Sequence, residues 1–138
     1  MINVKAKLEE GWIQCRVLLE MIGKPKEHIE KSIKEVIENI KKDEEMIVVD
    51  EKIAEIKKKD MEGKEDGLIK DMWATFAEMD ILFKDLTKIT YFSFEYMPSS
   101  IEISEPQELK MRAIELSEFF NDLQARLHEV NMIAKQLK

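Results

Sequence analysis

Cysteine occurs once in these 138 residues, histidine twice, proline and arginine three times each and glycine four times. One cysteine excludes an intrachain disulfide, and one cysteine with two histidines is too few ligands for a structural zinc site. Cys15 lies two residues from Ile13 and from Val17, a spacing that reads as a buried structural thiol on an apolar face. No stretch approaches 18 consecutive apolar residues, so no membrane-spanning helix is expected. The opening Met-Ile-Asn-Val-Lys-Ala-Lys lacks the apolar core of a secretion signal, and a cytoplasmic protein is the expectation. Positive charge is also short: the formal net charge is −7, which argues against an extended nucleic-acid footprint. The one basic run, Lys57-Lys58-Lys59, is followed by Asp60, Glu62, Glu65 and Asp66 and reads as a solvated turn.

What is present is a 44% hydrophobic content and 37% charge, the latter mostly Glu and Lys, with much Ile. That apolar fraction is enough for a core without disulfides or metals, and the length fits one domain over residues 1–138. The Glu, Lys and Ile bias is one seen in heat-adapted proteins.

Hydrophobic periodicity places the elements. Ile13, Cys15, Val17, Leu19 and Met21 alternate with Gln14, Arg16 and Glu20, which is a strand. Gly23-Lys24-Pro25 ends it, and a helix follows with Ile29, Ile33, Val36, Ile37 and Ile40 on one face. Met46-Ile47-Val48-Val49 reads as a second strand that continues irregularly through Ile53 and Ile56. The charged stretch from Lys57 to Asp71, with Gly63 and Gly67, reads as a mobile loop or hairpin tip. Trp73 to Lys84 alternates again, giving a third strand. A short helix opens at Asp85, and Ile101 to Ser104 is a fourth strand. Glu105-Pro106 then launches a terminal helix over 107–138.

That helix carries a seam. Leu109, Ala113, Leu116, Phe120, Leu123, Leu127, Val130, Ala134 and Leu137 alternate spacings of four and three, and at about 1.5 Å per residue the stripe runs about 42 Å. A domain of this size has a radius of gyration of about 14 Å, so the stripe outreaches its own body and calls for a second copy. Ile114, Phe119 and Ile133 widen it beyond a two-stranded seam, which fits helix against sheet as well as helix against helix.

The order strand, helix, strand, strand, helix, strand over residues 12–104 resembles the ferredoxin-like split βαβ arrangement. That resemblance implies an α+β fold: a four-stranded antiparallel sheet, two helices on one face, and here a long added C-terminal helix. The phrases Ile22-Gly23-Lys24-Pro25-Lys26-Glu27-His28 and Tyr96-Met97-Pro98-Ser99-Ser100 are similar to segments of small archaeal proteins of unknown function, a resemblance that implies no catalytic residue or cofactor.

In such a topology the turn after the first strand, the loop before the third and the turn before the fourth share one end of the sheet. The candidate ligand-binding residues are therefore Gly23, Lys24, Lys26, Tyr96, Ser99 and Ser100. A helix N-terminus with two ammonium groups suits a phosphate or carboxylate, although neither the phosphate-loop nor the dinucleotide fingerprint is present. Ser99 and Ser100 after Pro98 read as turn chemistry before they read as nucleophiles. His28 and His128 lack ligand partners at helical spacing, so no metal is expected. Glu78 and Asp80 share a strand face with Arg16 and Glu20 nearby, as on the polar side of a sheet covered on one face only.

These readings favour a non-enzymatic, homo-oligomeric binding or scaffold protein for a small anionic ligand or a protein partner. An enzyme acting on a small anionic metabolite is the alternative, with Lys24 or Lys26 for charge and Tyr96, Ser99 or His28 for proton transfer. A third reading, RNA bound on the sheet through Trp73 and Phe76, is opposed by Glu78, Asp80 and the net charge.

Overall fold

The computed structural model describes residues 2–59 and 72–136. The greater part of the charged stretch read as a mobile loop, residues 60–71, lies outside the described residues. The chain forms α1 (Val4–Glu9), β1 (Ile13–Gly23), α2 (Lys26–Lys41), β2 (Met46–Ile53), β3 (Lys57–Lys58), β4 (Trp73–Phe83), α3 (Leu86–Tyr96), β5 (Ser100–Glu105) and α4 (Ala113–Gln136). This is an α+β protein with one antiparallel sheet, its strands in the order β2-β4-β1-β5 and the two-residue β3 beside β4.

β1 and β4 pair along their full 11 residues, from Ile13 opposite Phe83 to Gly23 opposite Trp73. Strand alternation sends Ile13, Cys15, Val17 and Leu19 to one face with Ala77, Met79, Ile81 and Phe83, where all are buried. α2 lays Ile33, Ile37 and Ile40 on that face, and α3 adds Ile89 and Phe92, whose ring meets Phe83 edge-on at 5.2 Å. One continuous core results. Asp43 and Lys88 pair at 2.5 Å and tie the chain just after α2 to the first turn of α3.

Three local features depart from the alternation pattern. The ladder between β2 and β4 slips between Val48 and Asp50. This bulge sends Asp50 and Lys52 to the open face, opposite Asp80 and Glu78, and keeps Ile53 on the helix side. α1 was not foreseen. It is held by capping: Asn3 Oδ1 accepts from the Ala6 N–H at 3.1 Å, and Gly11, at φ +101°, closes the far end, with Trp12 N–H donating to the Lys7 carbonyl and Gly11 N–H to that of Leu8.

The third departure concerns α4. It is one continuous helix of 24 residues, about 36 Å long, but it opens at Ala113 and not at residue 107. Glu115 reaches back to accept from the Arg112 N–H at 3.4 Å, one half of a capping box, and this bond marks the start. Leu109 therefore falls off the seam, and Leu137 lies outside the described residues. α4 packs on α3, not across the other face of the sheet. Phe119, Asp122, Leu123 and Arg126 are its only half-buried positions among the described residues, so the contact covers about two turns. There Tyr91 donates to Asp122 at 3.2 Å and the Arg126 guanidinium lies 4.0 Å from the centre of the Tyr91 ring.

Candidate functional site

The turn from β1 to α2 is tight. A Cβ on Gly23 would lie 2.6 Å from Ile29 Cδ1, so the absence of a side chain lets the first turn of α2 close over the strand end. Pro25 occupies the N-cap position and provides no side-chain cap, while its carbonyl accepts from the His28 and Ile29 N–H groups. Lys26 extends over the Trp73 ring, its Nζ 5.3 Å from the centre. Trp73 thus sits on the helix side of the sheet beside Lys26 and is not an open-face stacking residue.

Tyr96, Ser99 and Ser100 do not join that turn. Ser100 lies opposite Leu18, and the Ser99 N–H donates to the Leu18 carbonyl at 2.8 Å. From Leu18 to Gly23 is five strand residues, roughly 17 Å. The reason is element length: α3 has 11 residues and climbs about 16 Å, whereas the 11 residues of β1 span about 36 Å, so the chain re-enters the sheet near the middle of β1. The six sequence-chosen residues therefore fall into two groups, Gly23, Lys24 and Lys26 in one and Tyr96, Ser99 and Ser100 in the other. Tyr96 packs on Phe92 at 5.1 Å, and burial first, then the charges of Glu95 and Asp43, raise its phenol pKa.

The paired carboxylates of β4 are engaged on the open face. Glu78 meets Arg16 at 3.4 Å, and Asp80 accepts from the Gln14 amide at 3.0 and 2.8 Å. The Cys15 thiol is fully buried, and its pKa is pushed up to about 11 by desolvation and then by the charge of Asp80. Among the described residues, no three His, Cys, Asp or Glu side chains gather as a metal-holding group, and no helix is long and apolar enough to cross a membrane.

A cavity of about 620 Å³ lies at the end of the sheet where β1 and β4 extend beyond β5. Its lining includes Ile22, Ala74 and Phe76, with Glu20 on one side and Lys57 and Lys59 on the other. The irregular step at Ala54 and Glu55 opens it, since Ala54 N–H still bonds the Phe76 carbonyl at 2.9 Å before β3 resumes pairing at Lys57 opposite Ala74. Sequence reading missed this grouping. Alternation along β4 puts Phe76 on the open face, but nothing local shows that Lys57 faces Ala74.

A match to the MJ0538 family runs over residues 14–136, spanning both turns, the cavity and all of α4. The chain belongs to the MJ0538 family. The match fits the resemblance to small uncharacterised archaeal proteins seen in Ile22 to His28 and Tyr96 to Ser100. No curated protein and no solved structure matches the chain.

Proposed function

We propose that this protein is a non-enzymatic, homo-oligomeric binding or scaffold protein whose subunits associate through α4. One observation carries the reading: Leu116, Phe120, Leu127 and Val130 remain 38 to 52% exposed along a helix that touches its own domain over only two turns. A row of large apolar side chains at coiled-coil spacing gains roughly 25 cal/mol for each Å² it removes from water. A second α4 offers the same row in the same register. Exposed Ile114, Met132 and Ile133 extend the apolar surface at the two ends of the helix.

The core reads as ferredoxin-like. The order β2-β4-β1-β5, with α2 and α3 on one face, supports this, α1, β3 and α4 being additions to that plan. We further take the protein to be cytoplasmic. Light scattering at tens of micromolar should return a dimer or larger species, and Leu127→Glu, at a position exposed within one subunit, should return a folded monomer. A wild-type monomer at that concentration would contradict the assembly.

A further inference from the structure

The cavity on the open sheet face combines three kinds of surface across three neighbouring strands. β4 supplies Phe76, a ring 45% exposed on a middle strand, with Ala74 one step along. On one flank β1 places Glu20 directly opposite Phe76 and Ile22 opposite Ala74. On the other, Lys57 stands opposite Ala74, and Lys59, two residues on, also lines the cavity. A large exposed ring between a carboxylate and two ammonium groups is more than a solvated strand end requires.

We propose that this cavity binds a free mononucleotide, its base stacked on Phe76 and its phosphate held by Lys57 and Lys59. The volume, about 620 Å³, lies within the usual range for small-ligand sites. Stacking uses the face of the ring, and the phosphate falls one strand away, beside the lysines. Glu20 then meets the edge of the base. A carboxylate only accepts hydrogen bonds, so it selects bases with N–H donors on that edge, and guanine, with adjacent N1–H and N2–H groups, satisfies both oxygens. Lys58 and Glu55 also line the cavity, so three ammonium groups stand against two carboxylates, and this small positive excess suits one phosphate better than a chain of them.

The rest of the face decides between a free nucleotide and a strand. Beyond Phe76 along β4 come Glu78 and Asp80, with Asp50 opposite Asp80 on β2. A polynucleotide continuing across the sheet would meet Glu78, Asp80, Asp50 and Glu102 against Arg16 and Lys52, and the net charge of −7 adds to the repulsion. This inference goes beyond the assembly reading and does not rest on it, because every residue invoked belongs to one subunit.

Titration calorimetry of the full chain with guanosine 5′-monophosphate tests the proposal, with guanosine and ribose 5-phosphate as half-ligands and a ten-nucleotide single strand as the polymeric source. Saturable binding is expected for the mononucleotide, at least about tenfold weaker for each half-ligand. Phe76→Leu keeps the apolar surface and loses the ring, and should weaken binding about tenfold or more. Lys57→Gln with Lys59→Gln should weaken it similarly and flatten its salt dependence. Glu20→Gln should narrow the preference for the guanine nucleotide over uridine 5′-monophosphate, and Leu127→Glu should bind as the wild type does, which separates this site from the assembly. No binding at about 1 mM nucleotide, or unchanged affinity in both Phe76→Leu and the double lysine variant, would overturn the proposal. A single strand that binds about a hundredfold tighter than the mononucleotide would replace it with a polynucleotide site.

Discussion

α2 and α4 are both amphipathic, yet their apolar stripes meet opposite fates. In α2, Ile29, Ile33, Ile37 and Ile40 are between 0 and 3% exposed, because the helix lies along the sheet: Ile33, Ile37 and Ile40 join the core with β1 and β4 side chains, and Ile29 covers Gly23. In α4, Leu123 of the apolar row is half-buried in the strip that meets α3, while Leu116, Phe120, Leu127 and Val130 on either side of it stay open. The sheet face has one layer of helix to accept. α2 and α3 fill it, so a third stripe finds only the back of α3. Apolar periodicity says that a helix must be covered; the layer count says whether its own domain can do it.

The sharpest way to break this comparison is to truncate one residue in each stripe. Ile37→Ala leaves a cavity in the core and should cost about 2–5 kcal/mol at any protein concentration. Leu127→Ala should cost within about 0.5 kcal/mol in dilute solution and more as concentration rises, since its cover comes from a second subunit. Urea denaturation at about 1 and 100 μM reads both. Equal, concentration-independent losses would erase the distinction.

A second test concerns the ion pair that fixes α3 to the end of α2. Burial works against the Asp43 charge, but the hydrogen bond from Lys88, the Glu45 backbone N–H and the charge of Lys88 outweigh it and lower the Asp43 pKa. Lys88 is likewise raised: burial opposes its charge, and Asp43 above all restores it. A carboxylate whose folded pKa is depressed contributes stability present above its unfolded pKa, near 3.9, and lost as pH falls through the lower folded value. The raised lysine contributes stability that is full below about 10.4 and lost as pH rises through its higher folded value. Asp43→Asn should cost about 1 kcal/mol at pH 7 and progressively less as the pH falls below about 3.9. A penalty that persists unchanged in acid would assign the effect to shape, not charge.

A third test concerns the joint between α3 and α4. Arg126→Ala removes the guanidinium from the Tyr91 ring and should cost about 0.5–1 kcal/mol. Amide exchange should quicken in α4 while α2 keeps its protection, because the two helices share no contact through that ring. Equal acceleration in both would show a single cooperative unit and remove the contrast between them.

Much of the fold is legible in the sequence wherever one face of an element is uniformly apolar. Alternation from Ile13 marks β1, the spacing of four isoleucines marks α2, and Asp85, three residues before the Lys88 N–H it caps at 2.8 Å, marks the start of α3. Elements held by one or two polar contacts are not legible in this way. Asn3 and Gly11 alone frame α1, and Glu115 alone moves the start of α4 to Ala113. The candidate ligand residues fared differently again, since their meeting depends on lengths. Ser100 stops opposite Leu18 because a helix advances less than half as far per residue as a strand.

By itself, the order of residues determined which stretches become strand or helix and which side of each turns inward, because both follow from local period and apolar content. Only the tertiary structure decided that α4 has no room on the helix-covered face of the sheet, that the two polar turns stay apart, and that Lys57 and Lys59 come beside Phe76. These depend on register and on relative element length, and neither is written in any short segment of the chain.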